Sequence, residues 1–242
     1  MSRWMFVLGT CLLCGSAYAT SVDAPALKTG DTWVYTYTTE NGQHGWAQKD
    51  EEISVERVMG DGVLVTLNQK GSNQPPQEEL RGLDWNHAVD INGKQQIVSQ
   101  PLSFPLKEGK KWELSYIQAH PDPKLVSHTF DCKYAVTGWE EVQVPAGKFN
   151  ALKVECDGQW SNELAPGVNV ASVASANQTG AAAAMQSQRI LPHTVISGRI
   201  YRAYWYVPEI KRYVKAVEES YNTSGFRSYR LTEELDSFKP AS

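Results

Sequence analysis

Cys132–Gly138 (CKYAVTG), Trp139–Val144 (WEEVQV), Pro145–Phe149 (PAGKF) and Asn150–Cys156 (NALKVEC) follow one another directly, and how this stretch folds back on itself constrains the whole chain. Pro145 fixes φ and removes an amide donor while Gly147 permits positive φ, so the pair enforces a turn between two runs of strand-forming residues. Two registers compete. A tight turn on Pro145–Lys148 sets Cys156 opposite Thr137, too far along the strand from Cys132 for a bridge. A bridged register pairs 129–138 with 150–159 and leaves Trp139–Phe149 as an arm, with Val142, Val144 and Phe149 packing beneath it. Bonded cysteines need α-carbons roughly 4.4 to 6.8 Å apart, so a disulfide excludes the simple tight hairpin.

Working outward, segments rich in Val, Ile, Thr, Tyr and Trp recur between Gly, Asn, Pro and Asp, and no long stretch sustains a helical apolar period. Strands are predicted near 32–39, 47–58, 62–69, 77–83, 95–100, 110–118, 125–137, 149–158, 195–207, 211–221 and 225–236. Asn41-Gly42, Gly60-Asp61-Gly62, Asn92-Gly93 and Ser224-Gly225 supply turn chemistry, so neighbouring strands connect as an antiparallel meander without crossover helices. A weak repeat, Leu27–Trp33 (LKTGDTW) and Leu106–Trp112 (LKEGKKW), is followed each time by a tyrosine, Tyr37 and Tyr116. Side chains alternate along a strand, which puts Trp33, Tyr35 and Tyr37 on one face and Trp112, Leu114 and Tyr116 on another, both directed inward. Trp205 shares a face with Tyr201, Ala203 and Val207, opposite Tyr204 and Tyr206, as on a central strand covered on both sides. These aromatics could line an apolar ligand site; ordinary core produces the same pattern.

The N-terminus sets the compartment. Arg3, the apolar run Trp4–Cys14 and Ala17-Tyr18-Ala19 read as an export signal over 1–19, with Thr20 beginning the mature chain. The apolar run is about half of the roughly 20 residues a spanning helix needs, so no membrane span is expected after cleavage. Neither Leu13 before Cys14 nor Thr10 before Cys11 fits lipidation. Of four cysteines, only Cys132 and Cys156 then remain, and an oxidising compartment favours one bridge between them over two buried thiols. Such a bridge is worth roughly 3 kcal/mol in the chain-entropy picture. Residues 20–242 read as one β-rich domain, interrupted by an Ala-, Ser- and Asn-rich insertion at about 161–188 that carries a short helix around Ala181–Ala184.

The segment Val144–Phe149 (VPAGKF) followed by Ala151–Val154, and Tyr204–Pro208 (YWYVP) followed by Val214-Lys215, resemble signatures of bacterial envelope proteins with DUF3108-like domains. With Gly30 and Trp33 near the start, the resemblance covers most of the mature chain. It implies a fold related to the open β-barrels of lipoprotein carriers: a single, strongly curved antiparallel sheet forming an incomplete barrel around an apolar concavity, in the envelope, with no assigned catalytic residues. The 161–188 insertion departs from that pattern.

Composition excludes several functions. With 23 Lys plus Arg against 27 Asp plus Glu, the net charge is −4 and no polybasic cluster offers a counterion-release drive for nucleic acid. There is no Gly-x-Ser-x-Gly elbow, no helical pair of histidines and no phosphate-cradling glycine loop. His120, Asp122 and His128 are the nearest approach to a metal set, in a proline-marked loop. Asp50-Glu51-Glu52 and Glu218-Glu219 read as solvated strand edges. The sequence thus predicts an exported, periplasmic, non-enzymatic protein without a cofactor, whose concavity binds an apolar ligand such as a lipid or lipid-modified partner. The alternative is an accessory protein that contacts other envelope proteins.

Overall fold

The computed structural model describes residues 21–42, 45–91, 93–167 and 194–241. The expected signal over 1–19, the alanine-rich helix and most of the 161–188 insertion lie outside these residues. The strands are β1 (Thr32–Asn41), β2 (Gly45–Val58), β3 (Gly62–Gln69), β4 (Gln77–Gly82), β5 (His87–Ile91), β6 (Lys94–Ser99), β7 (Lys111–Ala119), β8 (Leu125–Val144), β9 (Gly147–Leu164), β10 (Val195–Val207), β11 (Arg212–Asn222) and β12 (Arg227–Lys239). Only a short 3-10 turn at Pro208–Ile210 interrupts the strands, and no α-helix occurs among the described residues.

Ten strands form one antiparallel sheet in the order β4-β3-β2-β1-β12-β11-β10-β9-β8-β7. Two meanders, β1–β4 and β7–β12, are therefore joined where the first strand pairs with the last, Thr32 opposite Lys239 through Asn41 opposite Tyr229. The sheet does not close. Between its free edges β4 and β7 sits the separate hairpin β5–β6, with β5 beside β4 and β6 beside β7. Strand β5 was not expected, because HAVDI is short and flanked by turn residues.

The repeat in the sequence proves to be a repeated turn that opens each meander. The Asp31 amide donates to the Lys28 carbonyl and the Gly30 amide to Val55; the Lys110 amide donates to the Lys107 carbonyl and the Gly109 amide to Val136. Val55 and Val136 return the bond to the Asp31 and Lys110 carbonyls, so each turn is clamped to the adjacent strand. Gly30 and Gly109 sit at φ 95° and 79°, which explains the shared glycine.

The hairpin β8–β9 corrects the predicted register. The turn is tight after all: Val144 pairs with Gly147, and Trp139–Val144 and Gly147–Asn150 continue the strands rather than forming an arm. A bulge between Val136 and Gly138 shifts the pairing by one residue, so that Cys132 faces Gly158 and Tyr134 faces Cys156. The cysteines are diagonal neighbours with α-carbons 5.9 Å apart, and they are bonded. The turn sits one residue earlier than Pro145–Lys148, which moves the pairing by two residues, the bulge moves it by one more, and Gly158 makes room for the result. A methyl there would lie 2.2 Å from the Asp131 carbonyl oxygen and 2.7 Å from the Cys132 sulfur. Likewise 161–164, read as the start of the insertion, is the end of β9 and pairs with β8 and β10.

The core fills the inside of the curved sheet and runs from Trp33, Tyr35, Ile53 and Val65 through Tyr206 and Val154 to Tyr134 and Phe130. The chain start is pinned to it, since Val22 and Leu106 exchange backbone bonds of 2.7 Å. Asp31 is fully buried and ties three regions together: it accepts from the Lys28 amide, the Ala241 amide and Lys211 Nζ at 2.8, 2.9 and 2.7 Å. Burial alone would push its carboxyl up, but these donors hold it below the ordinary value.

Candidate functional site

The concave side of the sheet is not filled to its rim. A cleft of ≈ 490 Å³ remains between the inner faces of β1–β3 and β10–β12 and the β5–β6 hairpin, within the roughly 300–1,000 Å³ of ligand sites. Its lining combines the apolar side chains of Ile53, Val65, Leu67, Val98, Val217 and Leu231 with Arg202, Arg212, Glu218, Glu233 and the tyrosines Tyr37, Tyr116, Tyr204 and Tyr213, and the two kinds are interleaved, since Leu231 pairs with Glu218.

The seven side chains expected to line an apolar site divide. Tyr37 and Tyr116 reach the cleft wall. Trp33 and Tyr35 have no exposed surface and are packed into the core behind it. Trp33 is flanked by Trp85 and Phe238 and donates its indole N–H to the Ile210 carbonyl at 2.8 Å, and the Tyr35 hydroxyl donates to the Tyr213 carbonyl at 2.5 Å. Trp112 stacks on Tyr134 with ring centres 5.1 Å apart, and Leu114 is buried opposite Cys132. Trp205 stands apart from the cleft, beside Lys153 and Glu140, because alternation along β10 sends Arg202 and Tyr204 inward. Core packing accounts for most of the aromatic pattern.

Sequence reasoning missed the charged groups. Arg202 donates from Nε to Glu218 at 2.7 Å, with side chains only 8% and 12% exposed, and its guanidinium lies 4.8 Å from the Phe130 ring. Arg212, which is 9% exposed, is boxed by the rings of Tyr35, Trp85 and Tyr213 at 5.0, 4.7 and 4.8 Å. It donates to the Tyr213 hydroxyl at 2.8 Å, which donates onward to Glu233 at 2.9 Å. Burial raises the Glu233 carboxyl, against the opposing effects of Arg212 and the Tyr213 bond, and burial pushes the Tyr213 hydroxyl up to about 12. The acidic pairs are thus not solvated edges. Strands β2 and β11 have neighbours on both sides, and Glu51 and Glu218 face the cleft.

Metal chemistry finds no set of ligands here: among the described residues no three His, Cys, Asp or Glu converge. His128 instead bonds Asn162 at 2.5 Å and packs on Tyr116, while Asp122 accepts the Lys124 amide. No described helix is long and apolar enough to cross a membrane.

No family model matches the chain, and no curated protein sequence matches it. The resemblance to DUF3108-like domains therefore stands on its motifs alone. Two solved structures are similar. A protein from Bacteroides fragilis, described as exported and as having a YmcC-like fold, aligns at 15% identity and a TM-score of 0.44 over 91% of this chain and 100% of its own. A protein from Parabacteroides distasonis, described as a lipoprotein, aligns at 14% identity and a TM-score of 0.38 over 90% and 99%. Likeness at this level assigns neither a ligand nor an activity.

Proposed function

We propose that this is an exported, non-enzymatic binding protein of the bacterial envelope, and that its cleft takes an amphipathic molecule, lipid-like in having an extended apolar part. The observation that carries the reading is the cleft itself, lined by both apolar and charged side chains on the concave side of a sheet left open between β4 and β7. Burying acyl chain against the apolar lining residues is worth about 0.8 kcal/mol per methylene, so a modest length suffices for useful affinity. Export rests on the signal-like residues 1–19.

The test is uptake of a neutral apolar fluorophore, N-phenyl-naphthylamine, by the wild-type protein and by Leu231→Trp, which fills the cleft from one of its apolar lining positions. Saturable enhancement in the wild type, lost in the variant, is expected. Equal enhancement in both proteins, or none in the wild type, would count against the cleft.

A second reading, an accessory protein that contacts other envelope proteins, has one observation in its favour. Trp46 and Phe226 are 70% and 72% exposed, and they lie at the ends of the neighbouring hairpins β1–β2 and β11–β12. Ala substitution of both should then abolish co-purification of a partner while leaving fluorophore uptake unchanged.

A further inference from the structure

The cleft contains a buried cation that the protein does not satisfy. A guanidinium carries five N–H donors, and one removed from water needs acceptors for them or suffers a desolvation penalty. Arg202 has a carboxylate in direct contact, since Glu218 accepts from its Nε at 2.7 Å. Arg212 has none: among the described residues its hydrogen bonds end at the Tyr213 hydroxyl, and its Nε is buried without a partner. The nearest arrangement resembling an ion pair is indirect, because the Tyr213 hydroxyl stands between Arg212 and Glu233. Aromatic faces surround the guanidinium and hold it in place, but they accept no strong hydrogen bond from its edge. His87, which also lines the cleft, has a buried Nδ1 without a partner among the described residues.

We propose that Arg212 is the seat for an anionic group of the ligand, a carboxylate or a phosphate monoester, whose apolar part lies along Ile53, Val65, Leu67 and Leu231. This deepens the proposed function and rests on it. The planar fork of arginine matches both anions through paired N–H donors, which lysine cannot reproduce. Fixing the guanidinium in an aromatic box before the ligand arrives reduces the ordering cost of binding. The anion would supply the acceptors that Arg212 lacks, leaving the Arg202–Glu218 pair intact.

The test is calorimetric titration of the full chain with three ligands of one chain length, dodecanoate, dodecyl phosphate and dodecanol, and with acetate and inorganic phosphate as head groups alone. Dodecanoate or dodecyl phosphate should bind at least about tenfold more tightly than dodecanol, as expected for charge-assisted bonds, and the better of the two identifies the anion. Arg212→Met, which keeps most of the side-chain volume, should bring the three within about threefold of one another by removing that preference. Dodecanol binding as well as either anion would overturn the anion seat while leaving the cleft reading in place. Failure of all three would overturn both readings, and tight binding of acetate or inorganic phosphate would remove the apolar part from the proposal. If Arg212→Met does not fold, the comparison of the ligands on the wild-type protein still decides.

Discussion

At the scale of single residues, Asp31 shows how one side chain can hold distant parts of a chain. It lies in the turn before β1 yet bonds Lys211 beyond the β10 end and Ala241 near the C-terminus. Replacing it with Asn removes the charge from three hydrogen bonds and should cost about 1.5–3 kcal/mol in urea unfolding at neutral pH. The carboxyl is held below its ordinary value when folded, so its contribution is complete above that range and is lost as pH falls through the depressed value. The gap between Asp31→Asn and wild type should therefore narrow in strong acid; a gap independent of pH would show that the charge is not what matters. None of this was legible in the sequence, where Asp31 is one polar residue of a turn. Arg202, Arg212, Glu218 and Glu233 were equally opaque. Alternation assigns residues to two faces but gives no label to the inner one, and charged residues on an inner face read as a solvated face.

At the scale of elements the sequence was far more informative. Eleven of the twelve strands begin close to their expected positions, and the turns at Gly60–Gly62 and Ser224-Gly225 fall where expected, because β-branched and aromatic runs bounded by Gly and Asn have few other options. The failures also have physical reasons. The β8–β9 register turned on the exact place of the turn, one residue earlier than expected, and on a bulge at Val136/Gly138, and neither leaves a periodic trace. Two predictions belong here. Reducing the Cys132–Cys156 bond should lower stability by about 2–4 kcal/mol, measured as the shift between urea curves with and without reductant. Gly158→Ala should destabilise the oxidised protein, since its methyl meets the Asp131 backbone and the Cys132 sulfur. A variant as stable as wild type would show that the strands separate more easily there than this packing allows.

At the scale of the whole molecule, the joining of β1 to β12 makes one continuous sheet out of two meanders that begin with the same turn, and the sheet stops short of closure at β4 and β7. That incomplete closure leaves room for the cleft, and the β5–β6 hairpin spans the gap without pairing into the sheet. A molecule built this way can hold a ligand on a preformed wall. The most direct measurement is native mass spectrometry of the protein purified gently from the cells that make it, compared with its denatured mass. The account predicts extra mass that is released on denaturation and belongs to an amphipathic molecule. A bare polypeptide in the native spectrum, unchanged after incubation with dodecanoate, would contradict it.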